Sequence, residues 1–237
     1  MQFSRENAIK VIIILLVILM VITLLTIVNK RILYKYISKE SIISNDLHVV
    51  FKQFCIQENS EIPLIVYSKS FWYRPLTNTL GVKNLNSNYL VDAFAFLHEL
   101  YHLKDRKRLL RIQPVVSIYS YVVSSLMKLL ALYSIWFEKN VSFLESSLLI
   151  DIGLLLICFF LTVLVETYAS KGALYFLEEN QYIEETEFVE SISFHSTMTY
   201  CFQYAAYITL SIILFFLLQL KYPEYSRHLS YFYKFSI

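Results

Sequence analysis

His98, Glu99 and His102 stand in the order H-E-x-x-H within Leu97-His98-Glu99-Leu100-Tyr101-His102. Two histidines four apart fall on one face of an α-helix, about 40° from each other, so both imidazoles can grip one metal ion from the same side. Glu99 projects off that axis, where a carboxylate can hold a metal-bound water and take its proton. This chemistry needs a helix, and the flanking residues predict one over 91–104. Apolar residues recur there at helical spacing, no Gly or Pro interrupts, and Asn86-Ser87-Asn88 offers capping side chains just before it. The plain alternative is a polar turn on an amphipathic helix, which only the rest of the chain can weigh.

Composition sets that context. Of 237 residues 57% are hydrophobic and 17% charged, with only 3 Gly and 4 Pro, which fits bilayer-crossing runs better than one large soluble core. The net charge of +2 says little by itself, and its distribution says more; no nucleic-acid partner is expected. Cys55, Cys158 and Cys201 are odd in number and lack metal-type spacing, so they read as packing thiols.

Four spans are expected, at 11–28, 114–137, 147–165 and 198–220. The first reads as an uncleaved anchor, because Asn29-Lys30-Arg31 follows it in place of a small-residue cleavage site. The fold class is thus an α-helical integral membrane protein with a small α+β, zincin-like segment. The expected divisions are an anchor over 1–28, a polar segment over 29–113, a three-span region over 114–220 and a tail over 221–237. Within 29–113 the sequence predicts one or two amphipathic helices, a strand at 62–67, and a strand or hairpin at 72–82 turning near Arg74-Pro75. Between the last two spans, 167–197 is expected as an acidic loop carrying Glu178, Glu179, Glu184, Glu185, Glu187 and Glu190. The 29–113 segment holds thirteen Lys and Arg, including Lys104, Arg106, Lys107, Arg108 and Arg111 beside the second span. That bias places it in the cytoplasm with both termini outside.

Catalytic zinc takes three protein ligands and keeps a position for water. The other histidines are His48, His195 and His228. The expected topology puts His228 on the wrong side. It brings Glu166, at the end of the third span, back to the face where His98 and His102 emerge. Left alone, a Glu at such a helix end is an interfacial cap.

Three stretches together resemble the neutral zinc metallopeptidases of bacterial membranes, the YugP-like family. They are Tyr73-Arg74-Pro75-Leu76-Thr77-Asn78-Thr79-Leu80 before the H-E-x-x-H helix, Glu166-Thr167-Tyr168-Ala169-Ser170-Lys171-Gly172-Ala173-Leu174 after the third span, and Thr199-Tyr200 at the start of the last. The resemblance covers about residues 60–220 and implies His98, His102 and Glu166 on zinc, with Glu99 as general base. Tyr101 stands where the family keeps Gly, which is expected to narrow the cleft; Leu103 replaces Ala and Tyr168 an acidic residue. The spacing from His98 to Asp105 is also similar to that of metalloprotease sensor-transducers that answer β-lactams, and E-x-x-A more distantly resembles membrane endopeptidases of the HtpX kind.

The expected function is a plasma-membrane zinc metalloendopeptidase acting on membrane proteins or small peptides near the bilayer. His195 and Tyr200 are candidate oxyanion stabilisers. The alternative is a signalling or scaffold protein with a structural zinc site, for which Asp92 or Asp105 would have to supply a fourth ligand. A transporter would predict paired charges or Gly/Pro breaks within the spans; Lys128 and Asp151 could pair across the second and third, which is too little for a pathway and reads plainly as a neutralising packing contact.

Overall fold

The computed structural model describes residues 5–38, 41–60, 62–104, 112–137, 143–183 and 187–222, and the chain is mostly helical. Asp105, the basic residues Arg106, Lys107, Arg108 and Arg111, residues 138–142, Glu184, Glu185 and the tail from 223 with His228 lie outside the described residues. In order come α1 (Arg5–Ile37), α2 (Leu47–Glu58), β1 (Leu64–Tyr67), β2 (Trp72–Arg74), β3 (Thr79–Val82) and α3 (Leu90–Lys104). Then follow α4 (Gln113–Ile118), a π-helical turn (Tyr119–Val123), α5 (Ser124–Trp136), α6 (Leu144–Glu179) and α7 (Glu187–Lys221).

Four helices, Arg5–Ile37, Gln113–Trp136, Leu144–Glu179 and Glu187–Lys221, are long and apolar enough to cross a membrane. Each carries one expected span, but three overrun theirs at both ends. The acidic loop expected over 167–197 is corrected accordingly. α6 continues to Glu179 and α7 begins at Glu187. The physical reason is a buried stripe at helical spacing, Glu166, Ala169, Ser170, Ala173, Phe176 and Leu177, continued on α7 by Val189 and Ile192. The Glu residues that suggest a loop, Glu178, Glu187 and Glu190 among them, lie on the exposed side of these helices.

By compactness the chain divides in another way. One compact unit joins Val28–Pro114 to Leu161–Tyr200, and the other joins Met1–Ile27, Val115–Phe160 and Cys201–Ile237.

In the first of these, a three-stranded sheet has the order β1-β3-β2, with β1 parallel and β2 antiparallel to β3. The expected hairpin is present, turning at 75–78. All four residues of the central strand β3 are buried. Gly81 lies beneath its cross-strand partner Trp72, where an added Cβ would come within 2.2 Å of the indole. The indole N–H donates to Ser68 Oγ at 2.8 Å, and the Arg74 guanidinium covers the ring at 4.5 Å.

α3 is the spine of this unit. Leu90, Ala93, Phe94, Phe96, Leu97, Leu100, Tyr101, His102 and Leu103 are all buried. What stays partly open is a stripe at 91, 92 and 95 that runs on to His98 and Glu99. Before the helix, Ser87 donates to Asp92 in the first turn at 2.6 Å and accepts the N–H of Tyr89, which precedes α3, so it braces the helix start without the N-cap bond expected of 86–88. Phe54 of α2 and Phe176 of α6 are almost fully buried, with ring centroids 5.7 Å apart. Each such side chain contributes about 1.5–3 kcal/mol relative to exposure.

Tyr101 does not narrow a cleft. Its ring is 4% exposed. It meets Phe54 edge-on at 5.3 Å and lies against Gly172, where an added Cβ would come within 2.3 Å of it. Its hydroxyl donates to Glu58 at 3.1 Å, and Lys104 pairs with the same carboxylate at 2.5 Å. Burial and the Glu58 charge both push the phenol's pKa upward.

In the second unit, Leu144 and Leu148 of α6 pack with Ala131 of α5 and with Leu214 and Leu218 of α7. The Tyr222 hydroxyl donates to the Ser134 carbonyl at 2.9 Å near the end of α5.

Because the Tyr101 ring occupies the space a side chain at 172 would need, Gly172→Leu is expected to destabilise the protein by about 1–3 kcal/mol through overpacking. Tyr101→Ala should also destabilise it. The double variant Tyr101→Ala/Gly172→Leu should lose less than the two single losses added together. Thermal unfolding of the detergent-solubilised proteins measures all three, and simple additivity would remove the contact.

Candidate metal centre

The helix predicted around H-E-x-x-H places His98 and His102 one turn apart, with their Nε2 atoms 3.0 Å from each other. Glu166 comes from α6, 64 positions beyond His102 in the chain. Its Oε2 lies 3.2 Å from His98 Nε2 and its Oε1 3.9 Å from His102 Nε2. One ligand atom from each of the three residues falls within 4.8 Å of the others, and among the described residues these three form the group of metal-binding side chains. A tetrahedral ion with bonds of about 2.0–2.1 Å separates its ligand atoms by roughly 3.3 Å, so the observed spacings suit one small cation. Two imidazoles and a carboxylate are also the donor types that zinc accepts.

Small residues make this approach possible. Glu166, Ala169, Ser170 and Ala173 lie on one face of α6, and both alanines are fully buried. Ser170, one turn beyond Glu166, meets His98 Nδ1 with its Oγ at 3.1 Å. When Nε2 offers its lone pair to a cation, Nδ1 carries the proton and donates to Ser170. That contact fixes both the tautomer and the ring plane. The sequence holds the signal for this role, since Ser170 is four residues from Glu166 and so on the same helix face.

Burial governs the electrostatics. His102 is pulled down to about 4 by burial and by the charge of His98, so it is neutral and ready to ligate at pH 7. Burial also pulls His98 down, but its hydrogen bond and charge interaction with Glu166 outweigh this and leave it raised. Glu99 is pushed up to about 7, chiefly by burial. The nearby Glu166 charge adds to that shift, while His98 and a hydrogen bond from the Tyr73 backbone oppose it. A carboxyl group poised near neutrality, beside a cation site and on the accessible stripe of its helix, can both accept and return a proton. Tyr73 belongs to β2, an edge strand of the sheet that lies against α3.

The remaining sequence candidates are placed elsewhere. His48 is exposed on α2 and stands outside the group. Asp92 is occupied by Ser87 and by Lys83 at 3.5 Å. His195 is tied to α1. The Asn29 amide nitrogen donates to the His195 carbonyl at 2.8 Å and to Thr199 Oγ1 at 3.1 Å, which turns Asn29 Oδ1 toward His195 Nδ1 at 2.7 Å. Nδ1 therefore carries a proton and donates it to Asn29, which commits that N–H to α1. Tyr36 stacks on the same ring at 5.8 Å. Tyr200 is half-buried on α7. Asn29 has no motif to announce it, and only its place just past an apolar run sets it apart.

Comparison with protein-family models, with curated proteins and with solved structures gives no match.

The Ser170 contact leads to a direct test. Ser170→Ala is expected to weaken divalent-cation binding about tenfold, as loss of a ligand's supporting hydrogen bond does. Chelator competition measures the affinity, and thermal unfolding controls for general damage. An unchanged affinity would strip Ser170 of this role.

Proposed function

We propose that this chain is an integral-membrane zinc metalloendopeptidase with a zincin-like core. The observation that carries the reading is the convergence of His98, His102 and Glu166 within 4.8 Å, with Glu99 on the accessible side of the same helix. Zinc held by the three residues would supply Lewis acidity toward a water molecule and toward the scissile carbonyl.

The chain's own residues do the rest. Glu99 takes a proton from the attacking water, so the water oxygen can bond to the peptide carbon. It then delivers that proton to the amide nitrogen as the carbon–nitrogen bond breaks. A group poised at about 7 suits both halves of this transfer at neutral pH. His98 and His102 stay aligned through helical spacing and Ser170. β2, as an edge strand whose Tyr73 backbone bonds to Glu99, is suited to pairing with an extended peptide and holding it beside the general base.

The Lys and Arg excess over 29–113 supports a cytoplasmic placement, and the family resemblance supports a bacterial plasma membrane. Membrane proteins or small peptides close to the bilayer are the substrates that fit. The signalling or scaffold alternative needs a closed site with a fourth protein ligand. Against it, Asp92 is engaged by Ser87 and Lys83, and His98 and Glu99 remain partly accessible.

Metal analysis of the detergent-purified protein tests this reading. About one zinc per chain is expected in the wild type and in Glu99→Gln, and much less in Glu166→Ala. Glu99→Gln should also lose at least a hundredfold in cleavage of a casein or peptide-library substrate, the usual scale for removing a general base. Cleavage by Glu99→Gln at the wild-type rate would refute the mechanism. Zinc retained in full by Glu166→Ala would remove the third ligand.

A further inference from the structure

Lys128 and Asp151 are charged residues within helices apolar enough to cross a membrane, and both are buried, at 6% and 0% exposed. Lys128 Nζ lies 3.0 Å from Asp151 Oδ2. The carboxylate takes two more hydrogen bonds, from Tyr119 to Oδ1 at 2.9 Å and from Ser211 to Oδ2 at 2.7 Å. Lys128 donates in addition to the hydroxyl of Ser124 and to its carbonyl, and its ammonium stands 5.7 Å from the Tyr207 ring centroid. Beside them the hydroxyls of Ser120 and Tyr204 pair at 3.1 Å.

Backbone geometry supports this cluster. Tyr119 and Lys128 are nine positions apart, which on a regular α-helix puts them on opposite faces. The π-helical turn Tyr119–Val123 takes back part of that rotation, so both side chains reach Asp151. A mid-helix π turn is energetically unfavourable, and here its evident return is the completed carboxylate shell.

Such a saturated pair has no open position for a ligand, but it answers a difficulty of assembly. A lone Lys or Asp strongly disfavours membrane insertion of the helix that carries it. The helix bearing Lys128 is also the least apolar of the four. We propose that Lys128 and Asp151 are an insertion pair, through which Gln113–Trp136 and Leu144–Glu179 enter the bilayer as one hairpin with their charges neutralised. α7 then docks onto the same carboxylate through Ser211. The proposal rests on these helices crossing a membrane and is independent of the metal centre.

The test uses the full chain with its three cysteines replaced by Ala and Trp136→Cys as reporter, labelled in sealed vesicles by a membrane-impermeant maleimide. The parent should react mainly from one side, with a small wrongly oriented share. Asp151→Leu, which leaves Lys128 unpaired, should raise the wrongly oriented share about tenfold. If that variant is degraded, its level in the membrane should fall instead. Lys128→Met/Asp151→Leu should restore both readouts to those of the parent. Ser211→Ala should keep the parent's labelling and lower the thermal midpoint. An Asp151→Leu chain that labels and accumulates like the parent would overturn the proposal. So would a double variant no better than the single one. An unchanged midpoint in Ser211→Ala would overturn the docking step.

Discussion

A carboxylate taken out of water loses its hydration, and a fold tolerates this only where fixed donors or opposite charge replace the lost water. Glu166 is 6% exposed, and the groups that meet it are the Nε2 atoms of His98 and His102. Much of the surrounding unit follows from that requirement. Ala169 and Ala173 keep the face of α6 small enough for close approach, and Ser170 holds the far nitrogen of His98. Gly172 leaves room for the Tyr101 ring, which carries the contact between α3 and α6 back to Phe54 on α2. Larger residues along α6 would separate the two helices and leave a buried charge without partners.

The parts of this arrangement differ in how openly the sequence displays them. The α3 helix and its two histidines follow from local spacing, which needs nothing beyond 3.6 residues per turn. The β2–β3 hairpin follows from β-rich runs around a Pro turn. Glu166 has no ligand-type spacing around it, and it emerges from tracing where successive spans enter and leave and from the resemblance of the stretch it opens. The continuation of α6 is less legible in the sequence. Its buried stripe from Glu166 to Leu177 has regular helical spacing, but acidic residues on the opposite face give the segment the average composition of a loop. The pairing of Val28–Pro114 with Leu161–Tyr200 is a tertiary fact, set by which apolar faces match, and no local pattern encodes it.

Accessibility separates catalysis from mere structure in such a centre. α3 is buried nearly all round, so a metal group held for stability alone could sit entirely within the core, as His102 does at 6% exposed. Instead the open stripe at 91, 92 and 95 leads to His98 and Glu99. A protonatable carboxyl beside that opening is expensive to maintain, because burial has already moved it to about 7 and so weakened its preference for charge. A carboxyl so placed is what the proposed general-base role would use.

The two buried polar clusters make the same point from opposite directions. Around Asp151, donors and acceptors match. Tyr119, Lys128 and Ser211 all point protons at one carboxylate. Nothing further is needed there, and the cluster accounts for itself as a joint between helices. Around Glu166 the balance is reversed. Two imidazole nitrogens 3.0 Å apart and a carboxylate are all lone-pair bearers turned toward a common point. One proton on an imidazole can serve some of these contacts but not all of them together, whereas a single small cation can be shared by every member. An excess of acceptors converging in a buried place is what a metal-binding site requires of a protein, and here side chains from two distant stretches of chain supply it.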